Sequence, residues 1–193
     1  MSEDRSVGAV ILAAGASRRY GSPKQLVVID GRTLLEHAIE AAVTADLEPV
    51  VAVVPVWLPR PARTDSEQLR WVRNAFPERG MSLSLRLGFD ALGNEVEAAL
   101  AMLGDQGRIP AAMLAALLEA RGDRPVISPS AGGILAPPIL LERSHFHLVE
   151  GLTGDIGLRE VLASNRDLVR AVPVASHVPD LDTPDDLVRI SRP

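Results

Sequence analysis

The sequence contains no cysteine, which excludes disulfides, a thiolate nucleophile and metal sites built on cysteine sulfur. It also lacks a run of roughly 18 or more apolar residues, the length that a membrane-spanning helix needs. An excess of positive charge is missing too, because the net charge is −5, so we expect neither a general nucleic-acid surface nor a membrane surface. The first residues, MSEDRS, are acidic rather than a basic leader, and we therefore expect a cytoplasmic protein.

What the sequence does have is a large apolar fraction in a chain of ordinary length. Of its 193 residues, 47% are hydrophobic and 23% are charged, which suffices for a sizeable core and predicts one domain over residues 1–193. Short apolar runs alternate with amphipathic segments, as is typical of α/β proteins. We expect a three-layer α/β/α fold in which helices cover both faces of a mostly parallel sheet.

Local signals place the elements. Predicted strands cover residues 8–15, 26–31, 49–56, 69–74, 98–105 and 168–174, with two more inside 125–141 on either side of SPSAGG. Helices are predicted from residue 34, from Ser82, from Pro110 as first helical residue, over 140–152 and 155–164, and from a Thr183 cap. Thr33 and Glu36 have the spacing of a capping box for the first of these helices.

The first strand leads into a loop that combines glycine with positive charge. Residues 12–26 read LAAGASRRYGSPKQL, so that Arg18, Arg19 and Lys24 surround two glycines. Glycine lets backbone N–H groups approach a phosphate closely, and cationic side chains neutralise its charge. Neither the P-loop nor the Gly-x-Gly-x-x-Gly pattern is present, and a surface loop with solvated charges would have the same residue types.

The order of residues in this loop resembles the pattern Leu-x-x-Gly-x-x-x-Arg-[Met/Phe]-Gly-x-x-Lys of nucleotidyltransferases with a GT-A-like, Rossmann-type fold. It is most similar to the branch of the MobA-like NTP transferase family that acts on the molybdenum cofactor. This resemblance implies that Arg19 and Lys24 bind the triphosphate and act in catalysis. It also implies backbone contacts to the nucleotide from four residues that end the strand, namely Leu12, Ala13, Ala14 and Gly15.

Two aspartates are candidates for a metal site. Asp105 follows a predicted buried strand, and Mg²⁺ bound to a nucleotide prefers one or two carboxylates with phosphate oxygens and water. The resemblance implies that Asp105 holds Mg²⁺, and that Asp182, in the segment PDLDTPDDL, is a second ligand. Both have ordinary alternatives, because Asp often accepts a turn N–H after a strand and Asp-Thr-Pro is a good helix start.

Further segments are similar to the family's substrate contacts. RNAFPERGMSLSLRLGF resembles a stretch that contacts base and ribose, with Asn74 and Ser84 at the matching positions. LTGDIGLREVL resembles an acceptor segment, in which Arg159 would hold the acceptor phosphate and Asp155 would order the loop. Asn74 could equally be a turn residue at a strand end, and Arg159 an exposed residue near a helix start.

The resemblance implies transfer of a nucleoside monophosphate to a phosphorylated acceptor, with release of pyrophosphate. Ala14 favours the smaller pyrimidine base, which indicates CTP, with a molybdopterin-type acceptor and with a molybdoenzyme or its chaperone as a partner. Three alternatives stay open: a sugar- or alcohol-phosphate acceptor, an oxidoreductase that uses a nicotinamide cofactor, and a nucleotide-binding module without turnover. Retention of both Asp105 and Asp182 argues against the oxidoreductase, since hydride transfer needs no metal pair.

Overall fold

A computed structural model describes residues 6–15, 20–61, 64, 66–106, 108–179, 181 and 186. Its main feature is an eight-stranded mixed sheet. In chain order, the strands of this sheet are β1 (Val7–Leu12), β4 (Val50–Pro55), β5 (Leu69–Asn74), β6 (Ala98–Leu103), β7 (Val126–Ala131), β8 (Ile134–Leu135), β9 (Ile139–Glu142) and β10 (Val169–Pro173). The short strands β2 (Val28–Ile29) and β3 (Arg32–Thr33) form a separate hairpin.

The order across the large sheet is β10-β7-β9-β6-β1-β4-β5, with β8 paired to β7. Strands β6, β1, β4 and β5 are neighbours and run parallel, so their carboxyl ends meet at one edge of the sheet. Strand β9 is antiparallel to both β6 and β7. We call the edge where β1, β4, β5 and β6 end the carboxyl edge, because ligands of α/β sheets usually lie there.

Helices cover both faces of the sheet, as expected. The helices are α1 (Leu34–Thr44), α2 (Met81–Asp90), α3 (Ala111–Glu119), α4 (His147–Glu150) and α5 (Leu158–Ser164). One core cluster joins α1 and α3 to strand residues such as Ile11, and the other joins α2, α4 and α5 to strand residues such as Val10. Alternate residues of β1 therefore face opposite layers, and burial on both sides explains the continuous apolar run.

Helix α1 begins where the capping-box signal predicts. The backbone N–H of Glu36 donates to Thr33 Oγ1 at 3.2 Å, and the Glu36 carboxylate accepts from the backbone N–H of Thr33 at 2.7 Å. Helix α2 lies very close to β1, because a Cβ at Gly88 would overlap Val10 Cγ1. Glycine at that position lets the second half of α2 pack directly on the middle of β1.

The structure corrects several predicted elements. Strand β9 overlaps the second strand predicted within 125–141 and replaces the start of the helix predicted over 140–152, where the only α-helix is the four-residue α4. The first four residues of SPSAGG belong to β7, and Pro110 caps α3 instead of starting it. In the connection between β4 and β5, Leu58 is buried. The predicted Thr183 cap lies outside the described residues, and within the described ones no helix is long and apolar enough to cross a membrane.

Candidate functional site

The turn after β1 is held against the end of β6. The backbone N–H of Gly104 donates to Leu12 O at 2.9 Å, and the N–H of Ala13 donates to Val53 O at 2.8 Å. A Cβ at Gly104 would lie 2.7 Å from Ala13 Cβ, so only glycine allows this approach without a shift. Ala13 and Ala14 are buried and Gly15 is exposed. The turn is therefore built from small residues that leave its backbone open at Gly15 to a ligand.

Lys24 and Asp105 meet at this edge. Lys24 begins a short 3-10 turn, Lys24–Leu26, and is only 8% exposed. Its Nζ lies 3.8 Å from Asp105 Oδ2, and the Asp105 side chain keeps 33% of its surface in solvent. An ammonium group and a carboxylate from distant parts of the sequence thus lie side by side. Arg18, Arg19 and Asp182 lie outside the described residues.

Lys24 is also the only lysine in the sequence, a feature that the motif alone does not show. The 20 basic residues of the chain are 19 arginines and one lysine, which is Lys24. A lysine ammonium is a compact, strongly hydrated point charge, whereas arginine is a wide planar fork. Placing the sole lysine in a largely buried position beside a carboxylate indicates a requirement for that point charge. Counting the two residue types separately could have found this signal from the sequence.

Asn74 and Ser84 form a second pair. Asn74 ends β5 and is fully buried; its Nδ2 donates to Ser84 Oγ at 3.0 Å, and its Oδ1 accepts from the N–H of Phe76 at 2.8 Å. Ser84 lies in the first half of α2 and is 6% exposed. Asn74 therefore stabilises the turn at the end of β5, which is the alternative role considered for it above. It also orients the Ser84 hydroxyl.

The predicted acceptor segment packs on the start of α2. The N–H of Ser82 donates to Gly154 O at 3.1 Å, and Arg86 Nη1 donates to Leu152 O at 2.6 Å. A Cβ at Gly80 would overlap the Gly154 carbonyl, and the φ of 91° at Gly80 also favours glycine. The segment 152–157 is thus fixed to the same helix that carries Ser84. Sequence reasoning missed this contact, because it joins residues more than 60 positions apart.

The side chains proposed for the acceptor point to solvent. Asp155 and Arg159 are both exposed, the first in the turn before α5 and the second on α5 itself. The structure thus brings together Lys24 with Asp105, and Asn74 with Ser84. It attaches the segment containing Asp155 to α2 and leaves Arg159 open to a ligand.

The donor set at Asp105 fits Mg²⁺ bound to a nucleotide. Among the described residues there is no group of three or more His, Cys, Asp or Glu that could hold a metal ion. A protein cage is not what Mg²⁺ requires, since it commonly binds one or two carboxylates and takes its other ligands from phosphates and water. The one-third exposed carboxylate of Asp105 meets that requirement.

Known proteins are similar to this chain over nearly its whole length. A family model described as MobA-like NTP transferase domain matches residues 9–170. The chain is 29% identical to the purine catabolism protein PucB of Bacillus subtilis, with 95% of each sequence covered. It is 31% identical to the nicotine blue oxidoreductase of Paenarthrobacter nicotinovorans, over 95% of this chain and 96% of that protein.

Solved structures show the same fold. The crystal structure of Rv0371c from Mycobacterium tuberculosis has a TM-score of 0.82 and 26% identity, over 97% of this chain and 98% of that one. A second structure of Rv0371c, a complex with manganese, has a TM-score of 0.77 and 24% identity, over 96% and 97% of the two chains. The expected mostly parallel α/β arrangement is confirmed.

Proposed function

The chain belongs to the MobA-like NTP transferase family and is a nucleotidyltransferase, and from this premise we propose that it transfers CMP from CTP to a molybdopterin-type acceptor. An oxygen of the acceptor's phosphate would attack the α-phosphorus of CTP, and pyrophosphate would be released. The observation that carries the proposal is the position of Lys24, the sole lysine, 3.8 Å from Asp105 at the carboxyl edge. A cation and a carboxylate at that place match the needs of a polyphosphate and its metal ion.

The chemistry needs little from the protein beyond placement and charge. An oxygen of the acceptor phosphate forms a bond to the α-phosphorus of CTP, and the bond from that phosphorus to the bridging oxygen breaks. Near neutral pH the acceptor oxygen is already ionised, so no protein nucleophile is required. Catalysis then consists of positioning and of stabilising the charge that develops on the leaving pyrophosphate.

Lys24 would stabilise that developing charge, with Arg19 as a second phosphate ligand. The Lys24 ammonium lies beside the Asp105 carboxylate, at the edge of the sheet where the phosphates would bind. Asp105 would hold Mg²⁺, with Asp182 as a second carboxylate, and the ion would supply neutralisation of the phosphate oxygens. The manganese complex of Rv0371c supports a divalent ion in this fold.

The base assignment depends on the turn after β1. Ala13 and Ala14 are each 4% exposed and belong to the two core clusters, and their backbone would contact the base. A methyl group at Ala14 leaves less room than glycine would, which favours cytosine over guanine. Ser84, oriented by Asn74, supplies a hydroxyl for the base or ribose.

The acceptor assignment depends on segment 152–157. Arg159 would bind the acceptor phosphate through its planar guanidinium group, and Asp155 would order the loop. A molybdopterin cytosine dinucleotide would pass to a molybdoenzyme of the xanthine dehydrogenase type or to its chaperone. The name of the Bacillus subtilis relative, purine catabolism protein PucB, supports that destination because xanthine is a purine.

The relative named nicotine blue oxidoreductase favours one second candidate, hydride transfer from a nicotinamide cofactor to a pigment. Such a reaction does not need a triphosphate or a divalent ion. Hydride transfer would therefore not explain why Lys24, the sole lysine, lies beside Asp105. For this reason we prefer nucleotidyl transfer.

Pyrophosphate release tests the proposal directly. The wild-type protein is incubated with Mg²⁺, molybdenum-loaded molybdopterin and each of CTP, GTP, ATP and UTP, and a parallel reaction contains NADPH and a quinone-type pigment. We expect the fastest release with CTP and no NADPH oxidation. Faster release with GTP would reject the base assignment, and NADPH oxidation without pyrophosphate would favour the oxidoreductase.

A labelling experiment tests the site without turnover. An amine-acylating reagent can modify the chain only at Lys24 and at the terminal amino group. Saturating CTP with Mg²⁺ should protect Lys24, whereas the terminal amine, as internal control, should react at an unchanged rate. Equal labelling of Lys24 with and without CTP, measured by peptide mass spectrometry, would contradict a phosphate-binding role.

A further inference from the structure

A small apolar cluster, separate from the two main core clusters, packs around the β2–β3 hairpin. We call it the hairpin core; its buried members are Ile29, Leu34 and Leu181, and Tyr20 and Val27 pack against them. Ile29 is 3% exposed, and Leu34 and Leu181 are fully buried. Within the part of the chain that the structure describes, every member except Leu181 belongs to residues 20–34.

Lys24 lies between two residues of the hairpin core, because Tyr20 precedes it and Val27 follows it. The 3-10 turn that begins at Lys24 closes through the N–H of Val27, which donates to Lys24 O at 2.9 Å. The N–H of Leu34 donates to Val27 O at 2.9 Å and ties this turn to the start of α1. Leu26 packs on a main core cluster. The Lys24 turn therefore rests on two cores, of which only the hairpin core contains Leu181.

The stretch after β10 brings Leu181 to this place in steps. The N–H of Val174 donates to Ser130 O at 3.0 Å, next to the end of β10. Val178 is 6% exposed and packs in the main core cluster that also contains residues of α1. Leu181 then enters the hairpin core. A residue beyond β10 thus completes the packing of the segment that carries Lys24.

A second link joins the hairpin to the Asp105 side of the site. Arg108 Nη2 forms an ion pair with Asp30, in the turn between β2 and β3, and the two side chains are 46% and 58% exposed. Exposed ion pairs contribute little to stability, because solvent screens them. Full burial of a leucine side chain contributes considerably more. Leu181 therefore does more than the ion pair to hold the hairpin in place.

We propose that Leu181 is a positioning residue, which fixes the Lys24 ammonium beside Asp105 by completing the hairpin core. The inference rests on the proposed function and deepens it, because it makes a residue beyond β10 part of how the nucleotide phosphates are bound. A two-stranded hairpin is at best marginally stable by itself, so residues 20–34 need a partner from elsewhere in the chain. Leu181 acts through Lys24 and contacts no ligand itself, since its side chain is fully buried.

The sole lysine makes this inference testable without any nucleotide. A lysine-specific protease can cut the chain only after Lys24, and because Lys24 is 8% exposed, cleavage requires the segment to open locally. We expect Leu181→Ala to be cut about tenfold faster than wild type, since the cavity destabilises the closed segment. Leu181→Met keeps the volume of the side chain and should be cut at nearly the wild-type rate.

Two controls separate this effect from a general loss of stability. Leu117→Ala removes an equally buried leucine from α3, and Asp30→Asn removes the exposed ion pair of the hairpin. Both should be cut within about twofold of the wild-type rate, because neither change opens the Lys24 segment. Urea unfolding checks that each variant is folded under the protease conditions. Cleavage of Leu117→Ala as fast as that of Leu181→Ala would overturn the inference, since global instability would explain both.

Calorimetry with CTP and Mg²⁺ measures the consequence for binding. The Kd for CTP should rise about fivefold or more in Leu181→Ala, because a displaced Lys24 contacts the phosphates less well. It should be unchanged in Leu117→Ala and restored in Leu181→Met. An unchanged Kd in Leu181→Ala would reject the positioning role alone. A wild-type protein that binds no CTP would reject the proposed function, and the cleavage rates would then decide whether Leu181 fixes Lys24.

Discussion

Lys24 Nζ lies 3.8 Å from Asp105 Oδ2, so the only lysine ammonium of the chain is paired with the carboxylate that follows β6. The pair joins the turn after β1 to the turn after β6, the neighbouring strand in the sheet. A ligand that carries both phosphates and a metal ion could bind both partners at once. Activity should therefore depend strongly on each of the two residues.

Replacing Lys24 should remove most of the transferase activity. Lys24→Met preserves length and loses the charge, and we expect kcat for pyrophosphate release to fall about 10²–10³-fold, the cost typical of removing one group that stabilises developing charge. Lys24→Arg should restore little of the activity, because the wide planar guanidinium group cannot replace a compact ammonium group in a buried position. Arg170→Gln, which removes an exposed cation on β10, is the control and should retain full activity. Near-normal activity of Lys24→Met would contradict the role.

Replacing Asp105 should weaken the response to metal. Asp105→Asn keeps the shape of the side chain and removes its charge, so the Mg²⁺ concentration for half-maximal activity should rise at least about tenfold. Calorimetry with CTP, with and without Mg²⁺, measures the same effect on binding. Asp123→Asn, an exposed carboxylate paired with Arg170, is the control. An unchanged Mg²⁺ dependence would place the metal elsewhere.

Replacing Ser84 should cost stability even without nucleotide. Ser84→Ala removes the acceptor for Asn74 Nδ2, which is fully buried and would be left without its hydrogen bond. The free energy of unfolding in urea should fall by about 1–3 kcal/mol. Ser164→Ala, whose exposed hydroxyl donates to Glu160 O, should change it by no more than about 0.5 kcal/mol. Equal losses of unfolding free energy in the two variants would show that the buried Asn74–Ser84 hydrogen bond contributes no more to stability than the exposed one.

Adding one methyl group beside the turn after β1 should reduce activity. In Gly104→Ala the new Cβ would lie 2.7 Å from Ala13 Cβ and 3.2 Å from Leu12 O, so the turn must shift. We expect the KM for CTP to rise about tenfold, since small displacements of binding groups are costly. Gly151→Ala has open space around its new methyl group and an ordinary negative φ, and should behave like wild type. An unchanged KM in Gly104→Ala would argue against nucleotide binding at this turn.

The ion pair of Arg121 and Glu142 should contribute to stability. Arg121 Nε and Nη2 donate to the two carboxylate oxygens of Glu142 at 2.8 and 2.9 Å, and this hydrogen bonding raises the pKa of Arg121 above its ordinary value. Glu142→Gln should lower the free energy of unfolding by about 1–2 kcal/mol. Asp123→Asn, which breaks the more exposed pair with Arg170, should cost less than about 0.5 kcal/mol.

The pH dependence of that effect follows from the direction of the shift. A cation whose pKa is raised on folding contributes stability that is fully present below its unfolded pKa and is lost only as the pH rises through the folded value. The contribution of the Arg121 charge should therefore be constant between about pH 7 and 10. Urea unfolding of wild type and Glu142→Gln at both pH values checks this, and a difference that shrinks across that window would contradict it.

Local signals predicted the parts of the fold that depend on neighbouring residues. The capping box at Thr33 needs only nearby sequence and is found where expected. A strand was predicted up to residue 141, but the helix predicted over 140–152 also took in Leu140 and Leu141, because periodicity alone cannot assign a short apolar run. They form a strand because β6 and β7 both pair with them, which is a long-range effect.

Pro129 gives a second example of a long-range cause. A proline is normally excluded from the interior of a sheet, because it cannot donate a hydrogen bond. Strand β9 pairs with β7 only at Val126 and Ile127, and β8 pairs with it only from Ser130. Pro129 therefore lies in a gap between two partners on that side. The sequence shows the proline, but only the register shows that no donor is needed there.

In the candidate site, too, some features could be predicted from the sequence and others only from the structure. The family pattern named Lys24, Asp105, Asn74 and Ser84, because each belongs to a short motif. It could not show that Asn74 is fully buried and acts on Ser84, nor that Gly80 contacts Gly154. These relations depend on how β5, α2 and segment 152–157 pack together. Motifs identify single residues, and packing determines which of them can touch a ligand.

The attachment of segment 152–157 to α2 has a consequence for how new substrates could arise in this lineage. Its contacts described above all fall within residues 80–86, well away from Lys24 and Asp105 in the sequence. Exchange of that one piece, with the matching positions of α2, could give an enzyme a different molecule to modify while its way of handling triphosphates is inherited unchanged. Chimaeras between relatives, with the junctions placed at the two ends of that piece, are the natural way to exploit this modularity.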